Sequence, residues 1–285
     1  MSQSYTCLAP AKINWFLHIT GKRANGYHEL STLFQFVDLA DELTFTLTDS
    51  TDIELSGDLS GVAAEKNLIY KAADLMRKHF NLDKGIAIKV TKRIPSGAGL
   101  GGGSSDAATT MLMLNKLWQI NASEQELIEL GAGLGADVPI FIYGKTAFAT
   151  GIGEFLTPSD QPEIDLLLAI PENCHISTPA MFAQPQLKRD SEIVAPNEYV
   201  FDKTRNDFES VVKEVQPQVA KTLHWLVEYA PSRLTGTGAC CFSLVANKQQ
   251  AEKMAEQAPE GIKTFVVKTL KNSPVHLYLA EQFRN

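Results

Sequence analysis

The chain reads as a mixed α and β globular protein, and three observations lead there. A strand-patterned run, Ile86-Ala-Ile-Lys-Val90, enters a glycine-rich stretch from Pro95 to Asp106, after which Ala107, Met111, Leu114 and Trp118 recur at helical spacing. Elsewhere Leu43-Thr-Phe-Thr-Leu47 alternates as a half-buried strand does, while Leu68, Ala72, Leu75 and Met76 fall on one helix face. A hydrophobic content of 44% with 21% charged residues suits a packed soluble core, and 285 residues suffice for one large domain or two ordinary ones.

The same composition narrows the function classes. A net charge of −7 argues against broad binding to nucleic acid or to an anionic membrane, so any positive charge at a phosphate site must be local. The first residues, Met1 to Leu8, lack an apolar signal core, and no run reaches transmembrane length. Cys7, Cys174, Cys240 and Cys241 have no metal-ligand spacing and read as reduced, buried residues of a cytoplasmic protein. The six histidines form no ligand pair, so no structural metal is expected.

In chain order, Thr6–Leu8 reads as a short strand broken at Pro10, and Ala11–Ile19 is rich in β-favouring residues. Thr20–Glu29 is a loop with the turn signal Asn25-Gly26. Leu33–Val37 and Leu43–Leu47 are strands, with Asp38, Asp41 and Glu42 marking a turn between them. Residues 49–64 are polar and suggest a variable hairpin, and Asn67 opens a helix to about Phe80. Beyond the glycine stretch, Ser123 and Glu126 make a capping box for another helix, and helical pattern stops at Gly135. Thr146–Leu156 returns as strand and turn. A polar stretch at 159–163 flanked by prolines divides the chain into 1–160 and 161–285. Then come a strand at Ile164–Ile170, a helix start at Ser177-Thr178-Pro179, helices at Asn206–Glu209 and Pro217–Tyr229, and a second glycine loop at Ser232–Phe242. A strand at Ala239–Val245, a helix at Gln249–Glu256 and a strand at Thr264–Lys268 follow.

The stretch from Pro95 to Asp106 holds five of nineteen glycines, at 97, 99, 101, 102 and 103. Glycine admits positive φ and close backbone approach, and the helix start that follows offers free N–H groups and the positive dipole end. Ser104 or Ser105 would cap that helix. A phosphate is the natural guest. A Walker loop needs a lysine that is missing between Pro95 and Lys116. The spacing Gly97-x-Gly99-x-x-Gly102 satisfies a dinucleotide fingerprint, but the second strand and ribose-binding acid are replaced by a helix start at Ser123.

Pro95-x-Gly97-x-Gly99-Leu100-Gly101-x-Gly103-Ser104-Ser105 resembles the central motif of the GHMP kinases, which phosphorylate small alcohols. The resemblance implies that Pro95, Ser96, Gly97, Ala98, Gly99, Leu100, Gly101, Gly102, Gly103, Ser104 and Ser105 wrap the phosphates of ATP, with Asn67 and Lys92 beside the adenine. Pro10-Ala-Lys-Ile-Asn14 is similar to the family's N-terminal motif, which puts Lys12 near the accepting hydroxyl and Asn14 at the substrate. Gly135-Ala-Asp-Val-Pro139 is similar to its catalytic aspartate segment, with Asp137 in that role. By itself Lys12 reads as a surface lysine and Asp137 as a turn or cap residue.

Gly21-Lys-Arg-Ala-Asn-Gly-Tyr-His28 resembles the stretch that separates members using a cytidine diphosphate-linked methylerythritol from those using mevalonate, homoserine or sugars. It implies Tyr27 and Phe182 on the two faces of cytosine and His28 at its edge. Taken alone, Tyr27 and His28 read as packing the loop onto its own domain. The second glycine loop resembles the family's third motif, which closes over the site. The implied fold is α+β in two domains, an N-terminal βαβ-rich one and a C-terminal ferredoxin-like one, with the active site between them. Cofactors would be ATP and Mg²⁺, the partner a small-molecule substrate, and the assembly a monomer or homodimer. Another small-alcohol kinase of the family, or a nucleotide sensor without turnover, are the alternatives. Nothing specific marks 49–64 or 183–204.

Overall fold

The computed structural model describes residues 3–59, 61 and 63–284. Two long antiparallel strands, β1 (Ser4–Lys22) and β2 (His28–Leu47), organise the first half. β2 pairs with four strands along its length: β1, β4 (Ile86–Thr91), β5 (Ala147–Gly151) and the end of β10 (Ile262–Leu270). β3 (Ile53–Gly57) lies parallel to β4, and α1 (Leu68–His79) makes the crossover between them. Then follow α2 (Gly102–Leu117), α3 (Glu124–Ala132) and α4 (Val138–Tyr143), and β6 (Phe155–Pro158) pairs with β5.

The second half runs β7 (Asp165–Pro171), α5 (Thr178–Phe182), α6 (Phe208–Val215), α7 (Pro217–Val227), β8 (Ser232–Leu234), β9 (Cys241–Leu244), α8 (Lys248–Glu256) and β10. Its strand order, β10-β7-β9-β8, on a βαββαβ frame is ferredoxin-like. The last helix, α9 (Pro274–Gln282), returns to the first half, where Val275 and Leu279 join the core of Phe36, Met111 and Phe141. A separate core under β7–β10 holds Phe208, Val212 and Leu226. A third, with Ile13, Phe16, Leu168 and Phe242, joins the halves. β1 stitches them further, since Leu17 N–H donates to Arg205 O and Asp207 N–H to Leu17 O. We propose 160/161 as the division of the chain; α9 then crosses back over it.

Several local expectations give way to tertiary pairing. Pro10 does not end β1, because it sits at a register shift against β2, where a missing N–H is tolerated. Asp38, Asp41 and Glu42 form no turn; β2 continues through them. Asp38 accepts from Lys268 N–H, Asp41 accepts from Arg93 and Ile94 N–H, and Glu42 meets Arg93, so each acid serves a neighbouring segment. The hairpin expected at 49–64 is instead the single strand β3, whose partner comes after α1. α9 carries Pro274 in its first turn, the start signal of a helix that sequence reading left without an element.

Candidate active site

The glycine stretch is held from two sides. Lys12 N–H donates to Leu100 O, and Cys240 N–H to Ala98 O, so β1 and the second glycine loop grip it by its backbone. The grip leaves no room for side chains at the crossing: a Cβ on Gly99 would sit 2.5 Å from Thr235 O, and one on Gly236 2.6 Å from Gly99 O. α2 is capped by Gly101 at φ 75°, not by Ser104 or Ser105, and starts at Gly102. The first bond that closes is Ser105 N–H to Gly101 O, 2.9 Å. The N–H groups of Gly102, Gly103 and Ser104 precede it and stay available to an anion.

These groups line a cavity of about 420 Å³ that takes in residues 95–104, Asn67 and Lys92. Asn67 caps α1 through Oδ1, which accepts from Ile69 N–H at 2.9 Å. Lys92 is already engaged, with Asp41 and, at 2.6 Å, with Asp106. Burial alone would lower the Lys92 pKa, but the two carboxylates outweigh it and hold the ammonium charged. Burial pushes Asp106 up to about 7, with Lys92 pulling the other way. Ser105, expected at the phosphates, is fully buried and does not line the cavity.

A second cavity, about 230 Å³, lies directly beyond Gly99 and Ser104. Lys12, only 2% exposed, projects into it from β1. Its Nζ donates to Asn14 Oδ1 at 2.8 Å and Gly99 O at 3.1 Å and lies 3.3 Å from Asp137 Oδ2. An ammonium has three N–H groups, so all of them have a direction here. Asn14 donates in turn to Thr32 Oγ1 at 2.9 Å, which turns its oxygen toward the lysine. Asn14 thereby aims Lys12. Asp137 precedes α4 but makes no capping hydrogen bond, so its carboxylate is free to face the cavity.

The third cavity, about 580 Å³, is walled by Tyr27, His28, Phe182, Lys22 and Ile152. Tyr27 is 57% exposed and presents an open ring. His28 stacks on Phe182, ring centroids 4.7 Å apart and planes 24° apart. The two rings therefore touch, and both line this cavity with Tyr27. The three cavities adjoin, with walls in common. The first two share Gly99, Ser104 and Asp137, the last two share Leu30, Ala136 and Phe182, and Thr178 lines all three. Thr178 Oγ1 also lies 2.9 Å from Thr237 Oγ1, tying α5 to the second glycine loop.

Sequence reasoning named neither Thr178, Asp41 and Asp106 nor Arg189 as site residues. Thr178 carried only the signal of a helix start, and Arg189 none. Among the described residues no three His, Cys, Asp or Glu side chains gather as a metal site, and no helix is long and apolar enough to cross a membrane.

Comparison with known proteins places this arrangement. The GHMP kinase N-terminal domain matches residues 67–145, and the GHMP kinase C-terminal domain residues 184–263. The chain is 49% identical over 272 residues to the 4-diphosphocytidyl-2-C-methyl-D-erythritol kinase of Pseudoalteromonas atlantica, covering 95% of each. It is 48% identical to the protein of the same name from Psychromonas ingrahamii, again covering 95% of each. A crystal structure of 4-(cytidine 5'-diphospho)-2C-methyl-D-erythritol kinase superposes with a TM-score of 0.80 at 30% identity, over 93% of this chain and 99% of that one. A mevalonate kinase structure shares the fold, with a TM-score of 0.70 at 14% identity, over 94% of this chain and 100% of that one. A glycine loop at a helix start, a Lys12–Asp137 pair beside it and near-complete coverage by such relatives agree: the chain belongs to the 4-diphosphocytidyl-2-C-methyl-D-erythritol kinase family of the GHMP kinases.

Proposed function

We propose that the chain transfers the γ-phosphoryl group of ATP to the 2-hydroxyl of 4-diphosphocytidyl-2-C-methyl-D-erythritol, a step of the non-mevalonate route to isoprenoid precursors. The observation that carries the reading is the adjacency of the three cavities, with Lys12 and Asp137 at the middle one. The triphosphate lies on the α2 start, the cytosine on the Tyr27 wall, and the alcohol between them.

In phosphoryl transfer the protein chiefly positions the reactants and stabilises charge. Gly102, Gly103 and Ser104 N–H groups bind the phosphates. Lys12 places its charge between phosphate and acceptor, and Asp137 orients the hydroxyl and takes its proton as the bond to phosphorus forms. Mg²⁺ bound with ATP would offset the charge of the phosphates, with Ser104 the residue placed to hold it. The residues present fit that role: Ser104 lines both the phosphate and acceptor cavities, and a phosphate-bound Mg²⁺ needs few protein oxygens. Four buried, unpaired cysteines suit a cytoplasmic enzyme, working as a monomer or homodimer.

ADP release from MgATP tests the reading with a panel of alcohols: the cytidyl substrate, mevalonate, homoserine and galactose. Turnover confined to the cytidyl substrate is expected. Preference for another alcohol would move the chain to a different activity, and no turnover with any would leave a nucleotide sensor.

A further inference from the structure

Residues 183–204 carry no motif that the sequence alone singles out, yet one of them reaches the base wall. Arg189 Nε donates to His28 Nε2 at 3.1 Å. The rest of its guanidinium is bound to the turn after α5: NH1 to Leu187 O, and NH2 to both Phe182 O and Gln184 O, each at 2.8 Å. Four of its five N–H groups are thus directed, and the planar fork has little freedom to turn. Arg189 therefore holds the backbone of Phe182 and the ring stacked on it at the same time.

A guanidinium only donates. The His28 nitrogen facing it must be the acceptor, so in the neutral ring the proton sits on Nδ1. Among the described residues Nδ1 has no protein partner, and His28 lines the cavity with Tyr27 and Phe182. Burial first, then the charges of Arg189 and Lys22, hold the His28 pKa below its usual value, so the ring is neutral near physiological pH.

We propose that Arg189 is a specificity-determining positioning residue, fixing the His28 proton on Nδ1 so that the ring offers a donor to cytosine and refuses uracil. The chemistry follows from the bases. N3 of cytosine is an acceptor and takes a hydrogen bond from Nδ1–H. N3 of uracil carries a hydrogen, and two donors would face each other. A site committed to a hydrogen bond rejects a ligand that leaves it unmet far better than an apolar pocket rejects a near-isostere. Without Arg189 the ring is free to carry its proton on Nε2, turning Nδ1 into an acceptor that no longer matches cytosine. Full protonation puts N–H on both nitrogens and restores the donor.

The proposal rests on the reading of this cavity as the cytosine site, and the test separates the two. Cytidine 5′-diphosphate and uridine 5′-diphosphate are titrated calorimetrically against the full chain, with its ATP site saturated by a non-hydrolysable analogue. Titrations are run at about pH 8 and about pH 6, on either side of the ordinary histidine pKa. The native protein is expected to prefer the cytidine ligand at both. Arg189→Met is expected to lose roughly tenfold of that preference near pH 8, about one hydrogen bond's worth, and to recover part of it near pH 6. Arg189→Lys keeps a charged donor and is expected to fall between the two; it carries the test if the Met variant does not fold. Equal loss of both ligands at both pH values would reduce Arg189 to a support of the Phe182 turn and overturn the proposal, as would an unchanged preference. A native protein that bound both ligands alike would instead bring down the cytosine reading itself.

Discussion

The proposed phosphate side and the proposed base side of the cleft are built by opposite means. On the phosphate side the proposed working groups are backbone N–H groups at residues 102–104, in one unbroken stretch whose glycines leave no room for an added side chain at Gly99 or Gly101. On the base side the working groups are rings and a guanidinium at 27, 28, 182 and 189, and the bond joining His28 to Arg189 spans 161 residues of sequence. The first side fails by obstruction, when a Cβ enters. The second fails by loss, when a contact is removed. Lys12 and Asp137, brought from residues far apart, line the cavity that lies between the two sides.

That cavity should be the most sensitive place. Asp137→Asn, close to isosteric, is expected to lower kcat by roughly 10²-fold with both substrates still bound, because general-base help typically contributes 10²–10⁴-fold and a loose transition state asks for the low end. Lys12→Met should lower kcat as well. The double variant should lose less than the product of the two, since the pair acts as a unit. Single-turnover rates check this; a wild-type chemical step in Asp137→Asn would return the residue to the turn before α4.

Next comes obstruction. Gly101 has φ 75°, and a Cβ there would lie 2.9 Å from Phe141 Cε2 and 3.1 Å from Lys12 Cε. Gly101→Val is expected to weaken ATP binding by roughly tenfold or more, from backbone strain and displacement of the loop. Affinity for the cytidyl substrate should change far less. Equal weakening of both ligands in a folded variant would mean that the two sides are not separately built.

Loss on the base side is milder. Tyr27→Ala and Phe182→Ala should each cost about 1–3 kcal/mol of cytidyl-substrate binding, the scale of a base–aromatic stack, with ATP affinity retained. For Phe182 part of the loss would arrive through His28, which stacks on it. An unchanged Kd for the substrate in both variants would make these rings packing residues.

The contrast also explains what was legible in the sequence. A contiguous backbone site leaves its pattern in the residues that form it, so the loop, its flanking strand and its helix could all be read. Even there the cap was misplaced: Ser104 and Ser105 are good capping residues, but left-handed Gly101 already turns the chain, and Ser105 is drawn into the core. Lys12, Asp137, Tyr27 and His28 were reached through resemblance, since a lysine in a strand and an aspartate before Val-Pro carry no local signal of meeting. Arg189 was not reachable, because its meaning lies entirely in the ring it faces. The supposed turn at 38–42 failed for a related reason: acids within a strand look like a break until their partners, Arg93, Ile94 and Lys268, are known.

The smallest effect probes what lies beneath the phosphate side. Asp41 and Asp106 flank Lys92 with both carboxylates buried, so the group carries one negative charge more than positive when all three are ionised. Among the described residues Asp106 Oδ1 has no hydrogen-bond partner. Burial raises its pKa from the ordinary 3.8 to about 7, against the attraction of Lys92. The folded state therefore holds a proton that the unfolded chain releases, over the range between those values. With more protons bound in the native state, stability falls as pH rises through that window, and the stability from protonation is gone above about 7. Asp106→Asn removes the titration and leaves Lys92 paired with Asp41 alone. The variant should melt several degrees above the native protein at alkaline pH, with the difference shrinking steadily as pH falls toward the ordinary carboxylate range. Thermal unfolding of both proteins across that range reads the difference directly. A gap that stays constant with pH, or a variant least stable at high pH, would show that Asp106 is ionised throughout and that Lys92 needs both carboxylates to be buried.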